Sequence, residues 1–455
     1  MATSSRLRLH AALGLGALLA LGAAAAPVRA QQLHVPYSID TLRNGLTLIV
    51  HEDHSVPIVS VNTWRHVGSG DEAPGRTGLA HLYEHLMFMG SLHAPYPMFD
   101  RLLEAAGGDN NASTWTDATN YYENGPSSAL PLMLWLEADR TGYFLQTMDS
   151  AKVDLQRDVV KNERRQSYEN QPYGMASLKL TEMLYPVGHP YHHPTIGSMA
   201  DLTAASLEDV KNFFRKYYAP NNTTLVVAGD VSTPEVKRLV EGYFGGIPAG
   251  KPVTRPAVPA FQLARDTSLT LEDRVELPRL YNEWHSVKAY SPDDAALDLL
   301  AYILTGAKNS RLTRSLVYEQ QVAANVFARQ DSRHLDGAFT IVATARPGHS
   351  LDEIQHAVDS VITALVASGP TPRELEQARN SVAASFLNSL ERVAEVADQL
   401  NRYYYLTGQP DYFQKDLARY DAVTASDVQR VARKYLTAHR VYLRIVPQGR
   451  KEVTP

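Results

Sequence analysis

The feature that most restricts the fold of this chain is a long internal echo. Asp209-Val210, four residues, then Arg215-Lys216-Tyr217 recurs as Asp427-Val428, four residues, then Arg433-Lys434-Tyr435, an offset of 218. The same offset lays Leu225-Val226-Val227-Ala228 on Leu443-Arg444-Ile445-Val446. A period this long is no solenoid repeat and points to duplication of a whole domain. Between the copies, Pro248, Pro252, Pro256 and Pro259 crowd the stretch 246–265, a density that interrupts both helices and strands and reads as a linker. With 455 residues there is length for two or three domains that each bury a core. The expected plan is therefore two related halves, 31–245 and 266–455, on either side of the linker 246–265.

Residues 1–30 read as an address label. Arg6 and Arg8 precede an apolar run at 11–26, and Val28-Arg29-Ala30 supplies a small-x-small cleavage pattern before Gln31. An uncleaved anchor is the alternative, but the run is short for spanning a bilayer. The expectation is a signal peptide and export to a periplasm or the extracellular space. Its removal takes away three Arg and no acid, leaving the chain more negative than its starting −5, which argues against a nucleic-acid partner. There is no Cys, so disulfides, Cys-ligated zinc, iron–sulfur clusters and thiol nucleophiles are excluded. Any metal must be held by His and carboxylates. No later stretch offers eighteen consecutive apolar residues, so no membrane span is expected in the mature chain.

Each half mixes strand and helix patterns. In the first, 46–50 and 58–64 are rich in strand formers, whereas 78–89, 150–166 and 206–217 have helical composition, the last with Ser206 placed to cap it.

The most informative stretch is His81-Leu82-Tyr83-Glu84-His85. Residues four apart on a helix stand one turn above each other, so His81 and His85 present two imidazoles to one point with Glu84 beside them. That suits one Zn²⁺ with a general base next to its open position. Two ordinary histidines on an exposed helix would give the same five letters, so the context decides. A third ligand is needed, and Glu163 lies on a helix whose positions three, four and seven back are Val160, Val159 and Gln156, an apolar, inward face. A carboxylate there wants a cation, either a metal or an Arg of its own helix.

In these elements the chain resembles the pitrilysin/insulinase superfamily of zinc peptidases, which includes the mitochondrial processing peptidases. The inverted H-x-x-E-H motif is flanked by Gly78-Leu79-Ala80 and Met87-Phe88-Met89-Gly90-Ser91. There follow Asn111-Ala112-Ser113-Thr114 with Asp117, Thr119 and Tyr121, then Glu163-Arg164-Arg165-Gln166, His189-Pro190-Tyr191, Ile196-Gly197 and Asn221-Asn222. The resemblance implies an α+β fold of two duplicated domains, each a mixed, mostly antiparallel sheet packed with helices. It implies one Zn²⁺ per chain held by His81, His85 and Glu163, with Glu84 as the base that activates water. It also implies an edge strand at Asn111, Ala112 and Ser113, near Phe88, on which an extended peptide lies as an added strand; a plain structural hairpin is the bland alternative. His189, His192 and His193 could form a second metal site but read more simply as packing residues of a Gly/Pro-rich turn. Tyr403-Tyr404-Tyr405 is expected to pack at a helix end.

Two departures matter. The second half has no His or Glu at 297–306, so that copy is inert as a metal centre. Self-sufficient family members carry an Arg and, seven residues on, a Tyr after an S-R-L helix start, reaching the substrate from the non-metal half. Here Ser310-Arg311-Leu312 is followed by Leu316 and Ala323 at those places, with Arg314 and Tyr318 nearby but wrongly spaced. This pattern is similar to the metal-bearing chain of a two-chain enzyme whose zinc-less homologous partner supplies Arg and Tyr. The second departure is Gln156, which stands where one family pattern has an acid supporting the ligand Glu. The expected function is an exported zinc metalloendopeptidase acting on peptides or unfolded chains; the alternative is a non-catalytic structural or peptide-binding subunit.

Overall fold

The most apolar strand-forming run of the first half, Thr223–Gly229, is buried at every residue and sits inside a sheet, as a strand covered on both faces should. The computed structural model describes residues 33–255 and 257–449; the leader expected at 1–30 lies outside the described residues. The first sheet contains β1 (Ser38–Thr41), β2 (Thr47–Glu52), β3 (Ile58–Arg65), β4 (Asp109–Thr114), β5 (Thr119–Pro126) and β6 (Thr223–Gly229), in the order β1-β2-β6-β3-β5-β4. The second contains β7 (Thr267–Asp273), β8 (Arg279–His285), β9 (Ala323–Ser332), β10 (Gly337–Ala345) and β11 (Val441–Pro447), in the order β7-β11-β8-β10-β9. Every pairing is antiparallel except β2 with β6 and β7 with β11. The fold is thus α+β, with two mixed sheets of matching topology.

The 218-residue offset carries through to atomic detail. It lays helix Leu207–Tyr217 on helix Ala425–Tyr435, and β6 on β11, end for end. Both helices open with a capping box, Ser206 with Asp209 and Thr424 with Asp427, in which hydroxyl and carboxylate satisfy backbone donors that have no partner inside the helix. Among the described residues, no helix or strand falls between Phe244 and Thr267. No helix of the described residues is long and apolar enough to cross a membrane.

Each sheet has one face covered by its own half and one covered by the other. Val59 and Val61 of β3 pack with Met133, Leu134 and Val240 from helices of the first half. The opposite side of β3 carries Asn62 and Trp64, which meet helix Val393–Thr407 from the second half. There Asp398 Oδ1 accepts hydrogen bonds from Trp64 Nε1 (2.9 Å), Asn120 Nδ2 (3.1 Å) and Asn62 Nδ2 (3.3 Å). Asn401 Nδ2 donates to the Asn62 carbonyl at 3.0 Å. In return, helix Met175–Leu184 of the first half lays Ala176, Leu180 and Leu184 on Tyr281, Val342 and Leu443 of the second sheet, and His285 Nε2 donates to the Leu184 carbonyl (2.9 Å).

Leu184 is 1 % exposed at this junction, so Leu184→Ala should cost about 2–5 kcal/mol by leaving a cavity. Because the junction serves both halves, urea unfolding followed by far-UV circular dichroism and by tryptophan fluorescence should stay a single transition, shifted to lower urea. Two separated transitions would show that the halves do not hold each other.

Candidate metal centre and active site

Helix Leu79–Leu86 buries Leu79, Ala80, Leu82, Tyr83 and Leu86 and leaves His81, Glu84 and His85 on its polar side. Its start is fixed by two devices. Gly78 adopts φ +89°, and a Cβ there would stand 2.9 Å from the Ile196 carbonyl oxygen, so only glycine fits. The buried carboxylate of Glu72 accepts from the backbone N–H groups of Gly78 (2.8 Å) and Ala80 (2.7 Å), donors left over at a helix start. His193 Nε2 donates to the same carboxylate (3.0 Å). Burial pulls His193 down, but this bond and the charge of Glu72 outweigh it and hold the imidazole above its ordinary value.

Glu163 arrives from helix Ser150–Arg164, capped by Asp149 accepting from the Lys152 N–H (2.9 Å) and followed by a wider turn at Arg165–Glu169. Arg164 pins its end, donating to the Gly197 carbonyl (2.7 Å) and to Glu169 (3.1 Å), so Arg164 is not the cation that Glu163 faces. The inward side is formed by Val153, Gln156, Val160 and Glu163. Val159, expected on that side, is 40 % exposed and points outward.

The two helices bring three donors together. His81 Nε2 and His85 Nε2 are 3.3 Å apart, and Glu163 Oε2 lies 3.2 Å from His85 Nε2 and 3.7 Å from His81 Nε2. Among the described residues, this is the one group of His and acidic side chains whose donor atoms converge tightly enough to hold a metal ion. Donors about 2.0–2.1 Å from one tetrahedral ion stand roughly 3.3 Å from one another, which is the spacing seen. Burial pushes the His81 imidazole down to about 4, so it is neutral at pH 7, and the His85 hydrogen bond holds the Glu163 carboxyl below its usual range. His81 and Glu163 are therefore in the protonation states that metal binding requires. His81 Nδ1 is buried without a hydrogen-bond partner.

Glu84 sits beside this group. Thr114 Oγ1 donates to its Oε2 at 2.6 Å. Burial raises the Glu84 carboxyl, the Thr114 hydrogen bond and His85 pull it back, and Glu163 adds to the rise. Thr114 ends β4, an edge strand of the first sheet, on which Asn111 and Ser113 are exposed and Ala112 is buried. Phe88 is half-buried against the Tyr121 ring and the Arg140 guanidinium. Past β4 the chain enters a cleft of about 510 Å³ walled by Trp64, Trp115, Tyr168, Arg402 and Tyr405.

Other expected positions fall elsewhere. Gln156 Nε2 donates to Met89 Sδ (2.9 Å) rather than to a ligand carboxylate. His192 Nδ1 bonds the Tyr185 carbonyl and His189 stacks on Tyr185 at 4.6 Å, so this cluster packs a turn. Tyr403 donates to Asp416 (2.6 Å) and Tyr405 to the Asp117 carbonyl (3.0 Å). Leu316 and Ala323 are fully buried, Tyr318 is exposed, and Arg314 pairs with Glu319 at 3.2 Å. Arg311 grips Glu374 with two hydrogen bonds of 2.8 Å. Neither Thr114 nor Glu72 carries a site signal of its own in the sequence; the one usable signal is Thr114's place in the Asn111–Thr114 match.

The comparisons with known proteins agree with this architecture. Residues 47–189 match the insulinase family, peptidase family M16, and residues 204–382 match the peptidase M16 inactive domain. The chain belongs to this family, which lies in the pitrilysin/insulinase superfamily, and is a peptidase by descent. It is 29% identical over 438 residues to the zinc protease PqqE of Helicobacter pylori, covering 93% of this chain and 95% of that one. It is 25% identical over 413 residues to a probable mitochondrial-processing peptidase subunit beta of Arabidopsis thaliana, covering 88% and 76%. A crystal structure of a protease from H. pylori superposes with a TM-score of 0.86 at 26% identity, covering 91% of this chain and all of that one. The periplasmic protease PqqL of Escherichia coli shares the fold (TM-score 0.76, 18% identity); this chain spans 93% of itself and 50% of that chain.

The Arg311–Glu374 pair yields a pH prediction. The Arg311 hydrogen bonds hold Glu374 down to about 2, from an ordinary 4.5. A carboxyl lowered in the folded state gives stability that is complete above the unfolded value and lost as pH falls toward the folded one. Between pH 4.5 and 2 the wild type should lose this contribution. Arg311→Gln should be less stable at pH 7 and lose less over the same window, as read by urea midpoints at pH 7 and pH 3.

Proposed function

We propose that this chain is an exported zinc metalloendopeptidase that cleaves extended peptides or unfolded polypeptides. The observation that carries the reading is the convergence of His81, His85 and Glu163 at tetrahedral spacing, with Glu84 beside them and an open sheet edge leading to them. His81, His85 and Glu163 would hold one Zn²⁺. When bound, zinc supplies Lewis acidity, making water more acidic and a carbonyl more electrophilic. Glu84 takes a proton from the attacking water and returns it to the leaving amine. The outer edge of β4, at Asn111, Ala112 and Ser113, takes the peptide as an added strand, which selects for extended substrates, and Phe88 floors the approach. Gln156 supports the site through Met89 rather than through a ligand.

The first half, 31–245, carries this chemistry, and the second, 266–455, serves as its inert counterpart across 246–265. A zinc-less homologous chain completes the enzyme in this reading, because Leu316 and Ala323 are buried and apolar where the Arg and Tyr would stand. The relative described as a processing-peptidase subunit supports a two-chain arrangement. The leader at 1–30 directs the chain to a periplasm or the exterior.

The test is cleavage of a quenched-fluorescent peptide pool by zinc-loaded protein, with zinc content measured in parallel. Glu84→Gln should lower turnover by about 10²–10⁴ and keep its zinc, whereas Glu163→Ala should lose zinc. Undiminished turnover in Glu84→Gln would overturn the assignment of the base. A zinc-loaded chain that is silent alone and active with a zinc-less homologue would support the two-chain enzyme; silence in both would favour a non-catalytic subunit.

A further inference from the structure

Glu84 has one hydrogen-bonding neighbour among the described residues, and it comes from neither metal-binding helix. That neighbour is Thr114, whose hydroxyl donates to Oε2 at 2.6 Å and whose backbone N–H also faces the carboxylate. Thr114 is a rigid anchor. It is the last residue of β4, paired with Thr119 of β5, and the hairpin closes directly behind it through Trp115 N–H to the Ala118 carbonyl (3.0 Å). The tip of that hairpin is clamped from outside. The backbone N–H groups of Ser69 and Gly70 donate to the carbonyls of Trp115 (3.1 Å) and Thr116 (2.8 Å). A Cβ at Gly68 would stand 2.3 Å from the Trp115 carbonyl oxygen, and the Trp115 ring packs edge-on against buried Trp64 at 4.8 Å.

A glutamate on a helix has three rotatable bonds and swings freely unless something holds its end. Here the helix fixes only where the side chain starts, and the hairpin fixes where it ends. With Oε2 committed to Thr114, Oε1 is the oxygen left to exchange a proton. The strand that holds the carboxylate is the one whose outer edge would take the peptide. We propose that Thr114 is a positioning residue, locking the Glu84 carboxylate to the end of the peptide-docking strand so that a docked peptide and the base are in register. This rests on the reading of Glu84 as the base. The rival view is that the Thr114 hydroxyl merely finishes the hairpin.

Thr114→Val keeps size and shape and removes the donor; Thr114→Ser restores it. In the zinc-loaded protein, kcat of Thr114→Val should fall about 10- to 100-fold with KM within about twofold, zinc content and thermal midpoint should be unchanged, and Thr114→Ser should recover to within about threefold. In a Glu84→Gln background Thr114→Val should add no further loss, since the hydroxyl acts through Glu84. If Glu84→Gln keeps full activity, the reading of the base fails; if Glu84→Gln is inactive and Thr114→Val is not, only the positioning role fails. Crystal structures of the two Thr114 variants need no turnover. Glu84 should leave its place in Thr114→Val and keep it in Thr114→Ser. A carboxylate unmoved in Thr114→Val, or a loss of zinc matching the loss of rate, would overturn the proposal.

Discussion

The reciprocal cover between the halves is the constraint on which the rest depends. The face of β3 that carries Asn62 and Trp64, with Asn120 beside it on β5, ends in side-chain N–H groups that all reach one oxygen of Asp398. Without the helix Val393–Thr407 the Trp64 ring would face water or these donors would be buried unpaired, and either costs free energy. The second sheet stands in the same relation to helix Met175–Leu184, through apolar contact instead of a shared carboxylate. Neither half is finished by its own residues. The cleft walled by Trp64 and Tyr405 is a by-product of this exchange, since it forms where the borrowed helix runs past the end of β4.

The site is built on an equally demanding floor. Arg65, Glu123, Glu137 and Arg140 are each at most 1 % exposed and alternate in charge, with Arg65 Nη2 3.0 Å from Glu137 Oε1 and Arg140 Nη2 2.7 Å from Glu123 Oε1. Each acid meets an arginine, which makes burial tolerable although burial and the neighbouring Glu137 push the Glu123 carboxyl up, and removing either arginine would leave buried acids without their cation. Arg140 also lies over the rings of Phe88 and Tyr121, and the Tyr121 hydroxyl meets that of Tyr218 at 2.9 Å. The hairpin that holds Glu84 therefore rests on groups that have few other places to go. A rigid support of this kind suits a site in which three donors must converge within a few tenths of an ångström.

The duplication was legible because its echo is local: Asp209-Val210 with Arg215-Lys216-Tyr217, and Asp427-Val428 with Arg433-Lys434-Tyr435, each lie within one short helix, and the offset between them needs no knowledge of the fold. The metal-binding set was legible for a related reason, since His81 and His85 are one helical turn apart. The face of the second helix was only partly so. Counting back from Glu163 by four selects Val159, which faces outward, because the inward side runs along Val153, Gln156, Val160 and Glu163 and leaves Val159 just beyond its edge. Partners distant in the chain were not legible at all. Gln156 finds Met89 across 67 residues and Thr114 finds Glu84 across 30, and nothing in the spacing of either pair encodes the contact.

The two halves also show what a metal site demands of its helix. At the offset of 218, His81, Glu84 and His85 fall on Leu299, Tyr302 and Ile303 of helix Asp294–Thr305. Leu299 and Ile303 are buried, as are the residues around them, in the core of the second half. The first helix cannot be buried that way. Its polar side must stay open enough for imidazoles and a carboxylate to meet a ligand, so its start is held by a cap from Glu72 and its Glu84 carboxylate by a borrowed bond from Thr114 instead of by packing alone. Freed of the donors, the second copy gives Leu299 and Ile303, at the places of the two histidines, to apolar contact. The same fold thus serves chemistry in one half and stability in the other, and on the motif helix the difference lies in three side chains.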